Sequence, residues 1–520
     1  MRTEKTAVLV VGGGLVGLST AMFLSWHGVP TVLIERHPGS SPHPRAIGYT
    51  NRTMELYRAA GLGDMIPSVR RHGGVRRIRV ASLAGEWFEE QPWSAGGGNG
   101  SDHGYSPCGG AGLAQDRLEP ILRDRAGELG ADIRMSTELV SFEQDTDGVT
   151  ALLRDADGDY AVRAAYLVAA DGHRSPVRTA LGIGRDGYGH MWVRGSVLFR
   201  APLEEYLANG FAQFMIDQPD VTGMLTTYGD GRWAFFAGDT DMTAAERVHE
   251  TLAAVTGLPD LDFEIITTGR WEVGGWVADR FADGRVFLAG DAAHTLPPNR
   301  GGYSANTGIE DAHNLAWKLS AVLGRQSAPA LLDTYETERR PIAWLCHDDL
   351  FAREDWRPAE RGRERPEVLD DDAMAFGKLY RSTAVLDAGP DLPAALRPEQ
   401  WAGQPGTRAP HLWLDGGMST STVDLLQPGW VLLAEDERWL AAAATAGERT
   451  GVPVRCELLG ERVDPSAFRA AYGLGPRGAA LVRPDGYLGW RTAELPEDAT
   501  DALTTALATA SHATAAVPVA

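Results

Sequence analysis

The sequence predicts an α/β chain: a doubly wound, largely parallel sheet, an antiparallel sheet inserted into it, and a smaller strand-rich α/β unit at the end. Three observations carry that prediction. The stretch Thr6–Pro38, TAVLVVGGGLVGLSTAMFLSWHGVPTVLIERHP, reads as a buried strand, a glycine turn, a helix and a second strand. Two later apolar strands, Tyr166–Ala170 and Val286–Ala289, run straight into an acid beside a glycine, Asp171-Gly172 and Gly290-Asp291. Between those two, residues 186–284 turn to short alternating strands separated by turns such as Gly229-Asp230-Gly231.

The first stretch is the most specific. Gly12-Gly13-Gly14-Leu15-Val16-Gly17 satisfies G-x-G-x-x-G between the strand Ala7–Val11 and a helix Leu15–His27, with Gly28 placed to cap the helix end. Glycines there let the backbone turn tightly and let a pyrophosphate approach the helix N-terminus. Glu35 follows the strand Thr31–Ile34, where a carboxylate can hold ribose hydroxyls. An ADP-containing dinucleotide is therefore expected, NAD or FAD.

Val149–Gly172 reads as a hairpin turned at Asp157-Gly158 and a strand into Asp171, with Arg174, Ser175 and Arg178 just beyond. The strand Val286–Ala289 would bring Asp291 to the carboxyl end of the sheet, where doubly wound folds bind ligands. Thr307-Gly308-Ile309-Glu310 is a capping-box pattern, and Ile309, Ala312, Ala316, Leu319 and Leu323 follow at helical spacing, so a helix is expected from Asn306 or Thr307. A dehydrogenase with one dinucleotide needs neither acid–glycine element.

Bulk properties exclude several classes. At 520 residues two or three domains are expected, and 43% hydrophobic residues suffice for sizeable cores. Forty-nine basic against 70 acidic residues leave a net charge of −21, which disfavours nucleic acid, whose phosphates need a basic stripe. The dense basic run Arg70–Arg79 reads as a solvated surface segment. Three scattered cysteines, Cys108, Cys346 and Cys456, without CxxC or metal-ligand spacing, fit a reduced cytoplasmic protein with no bound metal. The apolar run Ala7–Val11 is too short for a signal-peptide core, and no membrane span is expected.

The three motifs, in this order from Gly12 to Asp291, resemble those of the FAD-dependent aromatic hydroxylases. These are the class A flavoprotein monooxygenases of the p-hydroxybenzoate hydroxylase type. The similarity is greatest to the actinomycete hydroxylases that tailor polycyclic aromatic polyketides, of the aklavinone hydroxylase type. The resemblance implies a Rossmann-like FAD-binding domain over 1–185 and 285–395, an antiparallel-sheet substrate-binding domain over 186–284, and a thioredoxin-like C-terminal domain over 400–520, here lacking CxxC.

It also implies roles. Gly12, Gly14 and Gly17, with Glu35 and Arg36, would hold the ADP half of FAD. Asp171 would lie near the pyrophosphate and the path of NADPH or NADH. Gly290 and Asp291 would bind the ribityl chain, and Pro298, Gly301, Gly302 and Asn306 would pass the flavin ring. The N-terminus of the helix that follows would favour the negative charge of reduced flavin. In Pro44–Leu62, Arg45 takes the position of the arginine beside the flavin and is the one residue offered for a catalytic role. In Ala114–Leu122, Gln115, with Arg117 or Arg52, takes the positions of FAD-contacting residues. Phe214, Met224, Trp233 and Phe235, on the middle strands, are candidates to line a flat apolar cavity.

One departure stands out. Relatives read P-P-x-G-G-x-G-x-N, whereas this chain reads Pro297-Pro298-Asn299-Arg300-Gly301-Gly302-Tyr303-Ser304-Ala305-Asn306, one residue longer and with Ser304 for the third glycine. His294, in the preceding turn, reads as a turn residue that packs or bonds backbone. The implied activity is reduction of the flavin by NAD(P)H, reaction with O₂ to a flavin C4a-hydroperoxide, and transfer of one oxygen to a phenolic, polyketide-type ring, by a monomer or homodimer. Two other readings stay open: a Baeyer–Villiger oxygenase on the same scaffold, and an FAD-binding partner protein without oxygenase activity.

Overall fold

The computed structural model describes residues 3–43, 46–67, 76–91, 104–238, 242, 245–297, 302–353 and 367–514; Arg45, Pro298 and Gly301 lie outside them. The first sheet runs Ala282–Asp283, Val286–Leu288, Gly158–Ala169, Thr3–Val11, Thr31–Glu35, Asp132–Met135, with the strands Glu138–Gln144 and Val149–Asp155 folded back on one side. The five strands from Val286–Leu288 to Asp132–Met135 are parallel. Val8, Leu9, Val10, Leu167, Val168 and Leu288 are wholly buried, as uninterrupted apolar runs must be when a sheet is covered on both faces. The hairpin turns on Ala156-Asp157 rather than Asp157-Gly158, because Gly158, at φ +118°, already pairs with Asp155.

The middle sheet runs His294–Thr295, Glu264–Ala278, Arg185–Arg200, Arg232–Ala237, Thr222–Thr227, Phe211–Asp217, Arg76–Val80, Trp87–Gln91. It is antiparallel except where Phe211–Asp217 pairs in parallel with Arg76–Val80. Its last two strands thus come from within 1–185. Of the basic run, residues 70–75 lie outside the described residues; Arg76–Val80 is a strand with Ile78 and Val80 in the core, while its partly exposed Arg76 pairs with Glu90 and Arg79 with Asp217. A helix, Ala245–Thr256, lays Val248, Leu252 and Val255 against one face of this sheet.

The last unit is a four-stranded mixed sheet, Val454–Leu458, Trp430–Ala434, Ala479–Val482, Leu488–Thr492, with the helices Arg438–Thr450, Pro465–Tyr472 and Ala499–Ser511. It docks on the first unit through buried charge. Arg408 binds Glu55 at 2.9 Å, Arg52 donates to the Asp485 carbonyl at 3.0 Å, and Arg483 binds Glu338 at 2.6 Å. Trp317 meets Trp430 edge-on.

His313 lies in the same interface, edge-on to Phe23 and hydrogen-bonded to Gln427 at 3.1 Å. Burial, with Arg52 nearby, lowers its pKa to about 3. A folded-state value below the unfolded one means that the unfolded chain binds more protons below pH 6.5, so stability falls as pH falls through that point. The melting temperature should drop between pH 7 and 5, and His313→Gln should flatten that slope. Up to about 2 kcal/mol at pH 5 is at stake.

Candidate functional site

The parallel strands end side by side. Gly12 N–H bonds the Ile34 carbonyl, Ala170 N–H that of Val11, and Ala289 N–H that of Ala169. Glu35, Gly12, Asp171 and Gly290-Asp291 are therefore brought to one edge, the carboxyl edge of the sheet.

Each glycine of the fingerprint is held by a different contact. Gly12 has φ +109°, and a Cβ there would lie 2.3 Å from the Ala170 carbonyl; a Cβ on Gly17 would lie 1.8 Å from the Gly12 carbonyl. Gly13 donates to Glu35 Oε2 at 2.7 Å. Gly14 differs: a Cβ there meets only Glu119 Oε1, at 3.9 Å. The helix Leu15–Trp26 starts directly after it with no side-chain cap and no acid in its first turn, so the positive end of its dipole is not offset by its own side chains.

Asp171 accepts from Val177 N–H through Oδ2 at 3.1 Å, while Oδ1 is buried and unpartnered among the described residues. Burial raises the pKa of this carboxyl. Arg178 ties the segment to its neighbour by donating to the Ala292 carbonyl at 2.8 Å. Gly290, at φ +60°, packs on Val16 of the first helix, and a Cβ on Gly308 would strike the same valine at 2.6 Å and Gly290 Cα at 2.9 Å. The first helix, the Gly290 turn and the long helix Tyr303–Leu323 thus converge.

That long helix begins after Gly302, at φ +56°, earlier than the expected start, and again without a side-chain cap or an acid in its first turn. Thr307 and Glu310 lie inside it and form no capping box. Glu310 is drawn instead to Lys378 at 2.9 Å and Arg339 at 3.3 Å, and Thr307 Oγ1 lies 3.6 Å from Cys346 Sγ. Asn306 binds Thr53 Oγ1 at 2.6 Å and Thr50 N–H at 3.0 Å, fixing the helix start to the helix Asn51–Ala59. Ser304 donates to Asp291 Oδ1 at 2.7 Å, a contact that a glycine at that position could not make.

Sequence reasoning missed Asp311. It is wholly buried; Oδ2 accepts from Gly290 N–H at 3.1 Å and sits 2.7 Å from His294 Nε2, while Oδ1 meets Arg339 Nε at 2.7 Å. Burial alone would raise its pKa, but His294 and Arg339 hold it at about 2. His294 thus packs, as expected, and in addition bonds the Asp311 carboxylate. The available signal was an acid one residue from an apolar helical stripe.

Of the other expected residues, Gln115 binds Glu119 at 2.6 Å, beside Gly14. Arg36 borders an open cleft of about 480 Å³ with His37, Ser136, Glu138, Arg154 and Asp155. Arg117 faces solvent and reaches Asp230 only at 3.8 Å, whereas Arg52 is locked to Glu55 and Asp485.

The middle sheet corrects three substrate candidates. Phe214, Trp233 and Phe235 are wholly buried in the core under the helix Ala245–Thr256. Side chains alternate across a strand, so the opposite face carries the row Met215, Met224, Phe236, Ser196, Gly269, joined by register. Of the four candidates only Met224 lies there. That face looks at the first unit: His43 lies against Gly269 and Thr267, and Arg232 binds Asp116 at 2.7 Å.

Comparison with known proteins bears directly on this arrangement. A family model described as FAD binding domain matches residues 5–349, and one described as aromatic-ring hydroxylase, C-terminal, matches 402–511. The chain belongs to the FAD-dependent aromatic-ring hydroxylases. Among relatives, a tetracenomycin A2 monooxygenase-dioxygenase of Streptomyces glaucescens is 42% identical, covering 98% of this chain and 97% of that one. A 4-methyl-5-nitrocatechol 5-monooxygenase of a Burkholderia species is 41% identical over 96% of each. The crystal structure of a ternary complex of aklavinone-11 hydroxylase with FAD and aklavinone superposes with a TM-score of 0.89 at 39% identity, covering 98% of this chain and all of that one.

As a hydroxylase of this family the chain is an FAD-dependent monooxygenase. Its residues fit the cofactor on three counts: the open cradle at Gly14, the orphaned oxygen of Asp171, and two uncapped helix starts at the same edge. No helix among the described residues is long and apolar enough to cross a membrane, and they contain no cluster of metal-ligating side chains.

Proposed function

We propose that this hydroxylase inserts one oxygen atom of O₂ into a phenolic, polycyclic aromatic substrate of polyketide type, using NADPH or NADH as reductant. The observation that carries this reading is the two-faced middle sheet. One face is closed as core, and the other sets half-buried Met215, Met224 and Phe236 towards the cofactor unit. These three side chains offer fused rings a flat apolar surface, bordered by the polar Ser196, Thr226 and Gln213 of the same face. Two relatives and one structural neighbour frame the size of the ligand. The tetracenomycin and aklavinone enzymes are named for fused-ring compounds and the nitrocatechol enzyme for a single ring.

In this reading the N–H groups after Gly14 hold the FAD pyrophosphate and Glu35 the adenosine ribose, with Arg36 beside it. Asp291, oriented by Ser304, receives the ribityl hydroxyls. Gly302 and the helix N-terminus it opens favour negative charge on the pyrimidine edge. FAD supplies the acceptance of hydride from NAD(P)H and the activation of O₂. The chain's own part is orientation and the exclusion of water by the methionine and phenylalanine wall.

The test is turnover of FAD-loaded protein with 1,8-dihydroxyanthraquinone and NADPH under ¹⁸O₂. The expected result is NADPH oxidation stimulated by the quinone and one labelled oxygen in a hydroxylated product. A labelled lactone would assign Baeyer–Villiger chemistry instead. Stimulated oxidation yielding only peroxide, across mono- and polycyclic phenols, would overturn the proposal.

A further inference from the structure

We propose that the indole N–H of Trp271 is the donor that orients the substrate, by bonding a carbonyl or phenolic oxygen on the rim of the fused rings. This inference rests on the function proposed above and assigns a specificity-determining residue to that cavity. Trp271 lies on the strand Glu264–Ala278, opposite Arg194 and two residues beyond Gly269. Alternation therefore places it on the same face as Gly269, Ser196, Phe236 and Met224. Its ring is set edge-on to Phe236, with centroids 5.9 Å apart and planes at 84°. Its Nε1 is buried and has no hydrogen-bond partner among the described residues.

A buried indole N–H normally finds an acceptor, because leaving it bare costs its desolvation. Here the ring is only partly buried while its polar atom is shielded, and neither the thioethers and phenyl ring of the wall nor the Ser196 hydroxyl on the same face serves as its acceptor. Trp233 Nε1 is likewise unpartnered, but its ring lies in the core on the other face and meets no ligand.

The wall and the donor divide the work of recognition. Met215, Met224 and Phe236 attract any flat apolar molecule but leave it free to rotate in its plane. One fixed donor at the edge removes that freedom and so selects which ring carbon faces the cofactor. A site with a buried donor also rejects analogues that lack the acceptor, since the donor would then stay bare.

Binding to the FAD-loaded protein, read from perturbation of the flavin absorption band, tests this with two probes, 1,8-dihydroxyanthraquinone and anthracene. Trp271→Phe keeps an aromatic ring in the wall and removes the pyrrole half of the indole with its N–H. It should weaken quinone binding about 10- to 100-fold and leave anthracene unchanged. Trp233→Phe should change neither, and Met224→Trp, which fills the wall, should weaken both. In turnover, Trp271→Phe should scatter hydroxylation over more than one carbon. The proposal falls if Trp271→Phe binds the quinone within about twofold of the parent, or if the parent binds neither probe. A selective loss in Trp271→Phe without any labelled product from the parent would keep this assignment and overturn the proposed reaction instead.

Discussion

Gly14→Val is expected to give a colourless protein that folds and melts like its parent in the absence of cofactor. Gly14 sits at φ −80°, ψ −174°, extended backbone open to any residue, and a Cβ there meets nothing closer than Glu119 Oε1 at 3.9 Å. Two methyl groups would then project into the space before the first free N–H groups of the helix Leu15–Trp26, where a pyrophosphate must pass. FAD affinity should fall at least about 100-fold, equivalent to about 2.7 kcal/mol. Gly17→Ala, three residues on, should behave in the opposite way. Its methyl would press on the Gly12 carbonyl at 1.8 Å, backbone that cannot yield without moving the strand end, so the melting temperature should fall even without FAD. Flavin content after purification and apo-protein melting separate the two. A Gly14→Val protein that retained stoichiometric FAD would show that the cradle lies elsewhere.

The same contrast explains why this part of the site was legible in the sequence. Glycine at positions 12 and 17 is forced by backbone contacts with Ala170 and Gly12, so the geometry leaves a mark in residue identity. Glu35, Asp171 and Asp291 were legible for a related reason: an acid at the end of a buried strand has few structural reasons to be there. The buried charge behind them was not. The adjacent Glu310 and Asp311, Arg339 and Lys378 come from three separated stretches, and in sequence each looks like any surface residue. Only the pairing makes their burial tolerable.

The middle sheet failed in an instructive way. Phe214, Trp233 and Phe235 are large and aromatic, and both properties suit a core as well as a cavity. Alternation assigns Trp233 and Phe235 to one face and Phe236 to the other, but it does not say which face a ligand sees. That is settled by the helix Ala245–Thr256, whose Val248, Leu252 and Val255 at helical spacing cover one side. The early start of the helix Tyr303–Leu323 was hidden similarly. Thr307 and Glu310 carry a capping-box pattern, yet Lys378 and Arg339 claim the glutamate, and local propensity yields to tertiary pairing.

The C-terminal unit should prove inseparable from the cofactor unit, and Glu338 is where this can be measured. Its carboxylate is buried and receives Arg483 at 2.6 and 2.9 Å, Lys318 at 2.7 Å, Asn314 at 2.8 Å and Ser382 at 2.7 Å. Burial alone would raise its pKa, but Arg483 and Lys318 hold it well below the carboxylate range. Burial in turn lowers Lys318 to about 8, with Glu338 as its one counter-charge within bonding distance among the described residues. Glu338→Gln keeps the shape and removes the charge, leaving Lys318 buried and unpaired and Arg483 with Asp485 alone. Breaking such a pair costs about 3–5 kcal/mol, so thermal or urea unfolding at pH 7 should shift markedly. Lys318→Met in the same protein should recover a large part, because it removes the stranded cation rather than restoring the bond. The pH dependence has a definite sign: a depressed carboxyl stabilises the fold above its ordinary pKa and loses that contribution progressively as pH falls from there through its depressed folded value. Glu338→Gln should therefore lose most at neutral pH and approach the parent in acid. A variant within about 1 kcal/mol of the parent at pH 7 would mean that the network is solvated and the two units are held by apolar contact alone.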